Sequence, residues 1–68
     1  MKTKELKSHI ISTAYAEYKM AHDMKDLGYN EYYEIHIHCW CELYDIIEKM
    51  GWEKDYTKFE KDMMNHDR

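Results

Sequence analysis

The chain has 68 residues, 44% hydrophobic and 35% charged, with two glycines, no proline and a formal net charge of −4. That length leaves room for one small domain, 1–68, and excludes most enzyme folds that enclose a substrate. Seven tyrosines, two tryptophans and one phenylalanine, with so modest a net charge, exclude a disordered chain.

Three helical patterns follow in order. The first, over 3–27, carries Leu6, Ile10, Ala14, Ala21 and Met24 on one face, flanked by Ile11, Tyr18, Met20 and Leu27. Ser8, Ser12, Lys19 and Asp26 lie opposite, Tyr15 falls on the polar side, and Thr3 is placed to cap the start. Gly28 ends this pattern, because glycine turns the chain at positive φ without a Cβ clash. Asn30 then reads as the N-cap of the second helix, 31–50, with Glu31 and Glu34 favourable to its dipole. Two apolar stripes overlap on it, Tyr32, Ile35, Cys39, Leu43, Ile46 and Met50 beside His36, Trp40, Leu43, Ile47 and Met50. So wide an arc predicts more than one neighbour. After Gly51, a third helix over 53–64 shows the stripe Trp52, Tyr56, Phe59 and Met63.

The short connection at Gly28 predicts an antiparallel helical hairpin, with the third helix folded back over its groove as a three-helix bundle. That register sets Ile10 near Ile47, Ala14 near Leu43, and Ala21 near His36 and Trp40. Alanines facing larger side chains permit close approach. The apolar side chains leave a chain this short little margin of stability, so a homodimer is expected.

Cys39 and Cys41 point about 200° apart on a helix and cannot bridge. A reduced, cytoplasmic protein is the expectation, with no membrane span and no apolar leader core after MKTKELKSH. Cys39 reads as a small core residue and Cys41 as the more reactive thiol. Nine lysines against one arginine, Arg68, with no valine or glutamine, match an AT-rich coding sequence such as that of a low-GC bacterium or its phage.

The run His36-Ile37-His38-Cys39-Trp40-Cys41 lacks the CxxC and HxxxH spacings of zinc sites, because adjacent ligands diverge around the helix. One alternative function is a metal-binding bundle in which His22, Asp26, Glu34 and His38 meet across two copies. Glu17 and His36 both face the core and are expected to pair across the hairpin, with the Trp40 indole as a second donor. Neither they nor the exposed Ser8 and Ser12 complete a catalytic set, so no enzyme and no cofactor are expected.

Scattered lysines on an acidic chain exclude a nucleic-acid binder. The negative charge concentrates in 30–51, where Lys49 stands alone against Glu31, Glu34, Glu42, Asp45 and Glu48. Tyrosine and tryptophan bury large areas at low entropy cost and are enriched at interfaces. The sequence therefore reads as a regulatory or inhibitory protein-interaction module. Tyr33, Trp40, Tyr44 and Trp52 are its expected anchors, and Glu34, Glu42 and Asp45 are expected to steer a partner protein. A structural subunit of a larger assembly is the other alternative.

Overall fold

In the computed structural model, which describes residues 2–66, the chain forms α1 Thr3–Asp26, α2 Asn30–Met50 and α3 Glu53–His66, and no strand occurs among those residues. Met1, Asp67 and Arg68, counted in the charge and composition above, lie outside them. The 24 residues of α1 span about 36 Å at 1.5 Å each, which sets the 38 Å long dimension.

Both glycines stop a helix by the same hydrogen-bond closure. At the first, Gly28 has φ 83°, the Tyr29 N–H donates to the Met24 carbonyl at 2.8 Å, and the Gly28 N–H donates to that of Lys25 at 3.1 Å. At the second, Gly51 has φ 73°, and the N–H groups of Trp52 and Gly51 donate to Ile47 and Glu48 at 2.9 and 3.1 Å. Trp52 there packs against the core that contains Ile47, sealing the closure with an apolar contact. A Cβ at Gly51 meets no atom within 4 Å, so only its backbone conformation resists substitution. Gly51→Ala should therefore cost about 1 kcal/mol in urea unfolding, and a cost near zero would mean the turn relaxes.

The expected side-chain caps do not form. The Lys2 carbonyl accepts the Leu6 N–H and the Tyr29 carbonyl accepts the Tyr33 N–H, each at 3.0 Å, with no side chain bonded at either start. The closure at Gly28 leaves Tyr29 as the flanking residue, so α2 begins one residue early and Asn30 lies inside its first turn.

The core joins Ile11, Ala14 and Tyr15 of α1 to Ile47 of α2 and Tyr56 of α3. Ala14, Ala21 and Ile47 are fully buried, and Ala14 shares one core with Ile47, so a small side chain of α1 does meet a large one of α2. Around them pack Ile10, Trp40, Leu43, Tyr44, Trp52, Phe59 and Met63. Tyr15 contradicts its placement on the polar side. It is buried, with its ring edge-on to Phe59 at 5.6 Å between centroids. It lies about 100° past Ala14 around α1, the direction from which α3 approaches, where a hairpin alone offers no neighbour.

Candidate interaction surface

The side of the hairpin that faces α3 is built of aromatic rings. Trp40 stacks on Tyr44 at 5.0 Å, Tyr18 tilts against Trp40 at 5.8 Å, and Tyr44 meets Tyr56 edge-on at 5.3 Å. The Trp40 indole N–H donates to the Tyr56 hydroxyl at 2.9 Å, a bond no local pattern suggests, since Glu17 was its expected acceptor. Burial pushes the Tyr56 phenol up to about 12, outweighing the indole bond that stabilises its ionised form. Near the start of α3, Lys7 reaches Asp55 at 2.6 Å, with its ammonium 6.0 Å from the Trp52 ring centroid. Beside this ion pair, Lys4, Ser8, Ile11, Lys58 and Phe59 line an open groove of ≈ 280 Å³ between α1 and α3.

Three of the four expected anchors, Trp40, Tyr44 and Trp52, are thus half-buried against the chain's own core. Tyr33 is half-buried too, under the Lys25 ammonium at 5.4 Å. The exposed tyrosines are Tyr29 and Tyr32, edge-on to each other at 6.2 Å beside the α1–α2 turn. Glu34, Glu42 and Asp45 are exposed along the outer side of α2, and Asp45 holds Lys49 at 2.8 Å. That contact, through its hydrogen bond and then its charge, raises the Lys49 ammonium above its usual range.

The opposite side of the hairpin has no third helix over it. Ile46 lies about 200° around α2 from Tyr44, and Met20 about 140° around α1 from Tyr15, so both point away from α3. Tyr32, Ile35 and Met50 are 58%, 57% and 53% exposed, and Leu6, Met20 and Ile46 42%, 44% and 41%. On α1 the strip runs Leu6, Ile10, Thr13, Glu17, Met20 and Met24, at alternating four- and three-residue steps. On α2 it is the first of the two expected stripes. At roughly 200 Å² for a large side chain fully exposed, the six exposed residues leave about 600 Å² uncovered. That is the upper end of the largest apolar patch on a typical monomer, roughly 300–600 Å².

One polar pair interrupts this strip. The Glu17 carboxylate and His36 Nδ1 meet at 2.7 Å with side chains about a quarter exposed, the pairing their positions predict. Cys39 is exposed on the same strip and not a core residue, because the face that would cover it has no partner helix; Cys41 is exposed as well, and both thiols are free. His22 stands edge-on to Tyr18 at 4.7 Å. Among the described residues no three His, Cys, Asp or Glu side chains converge on one point, so the set His22, Asp26, Glu34 and His38 is not assembled within one chain. Nor is any described helix long and apolar enough to cross a membrane.

Comparison with protein-family models, with characterised proteins and with solved structures gave no match, which leaves function to be argued from this chain's own surface.

Proposed function

We propose that the chain is a small binding module that acts by docking onto another polypeptide and performs no chemistry of its own. One observation carries this reading: the uncovered apolar face formed jointly by α1 and α2 on the side away from α3. Leaving that much apolar surface in water costs about 25 cal/mol per Å², and the cost is recovered only where another surface covers it. Trp40, Tyr44 and Trp52 already serve the chain's own packing. The anchoring residues are therefore the exposed Ile35, Ile46, Met50 and Met20, with Tyr32 at the end of the strip. Glu34, Glu42 and Asp45, exposed beside it, set the sign of the local field and favour encounters that bring basic side chains to the rim. Occupying a partner's surface in this way suits a regulatory or inhibitory protein, of the kind a phage encodes, and requires neither cofactor nor metal.

The reading is tested with a photo-crosslinking amino acid placed at Ile35, and separately at Glu48 on the exposed polar side, in cells of the native host. Position 35 should give discrete polypeptide adducts and position 48 should not. Adducts at neither position, or equally at both, would remove the face from consideration.

A further inference from the structure

We infer that the occupant of this face is a second copy of the chain, two hairpins stacking into a four-helix bundle with each α3 on the outside. The inference rests on the docking-face reading above and names its partner.

Spacing is the first argument. The strip on α1 keeps the four-three alternation that lets one helix seat against another over a long contact, and the strip on α2 follows it closely. A face two helices wide and mostly apolar, broken by the Glu17–His36 pair, matches a second such face, which an isologous pair of identical chains supplies. Area is the second. The uncovered side chains amount to about 600 Å², and half-buried Ile10, Met24 and Leu43 extend the strip. A stable interface takes about 800 Å² from each partner, so nearly the whole strip is needed and little of it is left over. A short loop or peptide from another protein would cover only part.

Charge is the third. The Glu17 carboxylate within the strip already has the His36 ring as a hydrogen-bond partner at 2.7 Å, so stacking two copies does not leave it without one. Along the helices, α1 carries four basic and four acidic side chains, whereas α2 carries Lys49 against five carboxylates. Setting each α1 over the partner's α2 keeps the two acidic helices diagonal to one another, with their carboxylates facing solvent.

Light scattering across a wide dilution range tests the stoichiometry. The wild-type chain should show twice its 8.4 kDa mass, and the double variant Ile35→Glu, Ile46→Glu should fall to one chain with its helical circular dichroism retained. Thiol labelling locates the interface with no charge introduced on the apolar face. In a Cys41→Ser background Cys39 should react with maleimide more slowly as concentration rises, while Cys41 in a Cys39→Ser background should not change. A one-chain mass at every concentration overturns the inference. So does a two-chain mass in which Cys39 labels as freely as Cys41, which also decides the matter if the double variant fails to fold. A one-chain mass with foreign adducts at position 35 removes only the self-partner; no adducts at all remove the docking face with it.

Discussion

Ile47→Ala is expected to lower unfolding stability by about 2–5 kcal/mol and to leave much of the chain unfolded without denaturant. Ile47 is fully buried, the largest side chain so enclosed, and it sits where α1, α2 and the start of α3 converge. Its neighbours cannot fill the space it vacates. Ala14 is already minimal, and Ile11, Tyr15 and Tyr56 are held by contacts to other elements. A single core in a chain this small supplies about 3–5 kcal/mol, so the loss is comparable with the whole. Ile47→Val, which removes one methylene, should cost about 0.5–1.5 kcal/mol and remain folded, making the pair a graded probe. Urea titration followed by circular dichroism reads both. A loss under about 1 kcal/mol for Ile47→Ala would show that the junction collapses around the gap, against the close-packed interior argued here.

Helix positions, the packing of α1 against α2 and the Glu17–His36 pair were legible because each depends on periodicity within a helix or on folding about one glycine. Glycine at 28 and 51 sets the two turns, and Ala14 and Ala21 mark the seam along which the hairpin closes. Choice of groove is another matter. A two-helix hairpin has two sides, and α2 is apolar toward both, so nothing local to it selects the side on which α3 lands. Tyr15, Cys39 and the Trp40 hydrogen bond all turn on that choice, and all three depart from expectation. The Trp52 contact at the end of α2 starts α3 toward the side of Tyr15 and Tyr44. This is a tertiary preference invisible to a reading of either helix alone.

The same choice redistributes the interface candidates. A count of aromatic residues points to a surface of rings, yet α3 joins Trp40, Tyr44 and Tyr56 in one run of ring contacts and sets Phe59 against Tyr15. Aliphatic and methionine side chains are left on the other side, together with Tyr32. Aromatic clusters gain from ring geometry in addition to area, which favours pairing them within the chain. Ile and Met seat against many surfaces and suit the face left open.

Tyr56→Ala is the second substitution with a large expected effect, a loss of about 3–5 kcal/mol. Tyr56 is the buried residue of α3, and it anchors that helix by packing on Tyr44 and accepting the Trp40 indole bond. Without it α3 keeps Phe59 against Tyr15, Met63 at the edge of the core and the Lys7–Asp55 ion pair, too little to hold 14 residues on the hairpin. Tyr56→Phe keeps the ring and should cost only about 0.5–1.5 kcal/mol. The two variants also differ from wild type in alkali. Burial raises the folded phenol from 10 to about 12, so below pH 10 the hydroxyl is neutral in both states and its contribution is complete. Between 10 and about 12 the unfolded chain releases the proton and the folded chain keeps it, so stability falls as pH rises and is lost through the folded value. Lys49, raised by Asp45, also loses its contribution as the medium becomes alkaline, but it is exposed and common to all variants. The difference between wild type and Tyr56→Phe therefore isolates the phenol. Wild type should lose stability more steeply across that window, and its ultraviolet titration should show one tyrosine ionising late, a step absent from Tyr56→Phe. Identical alkaline slopes for the two proteins would place the hydroxyl in water and undo the assignment of Tyr56 as the residue that locks α3 to the hairpin.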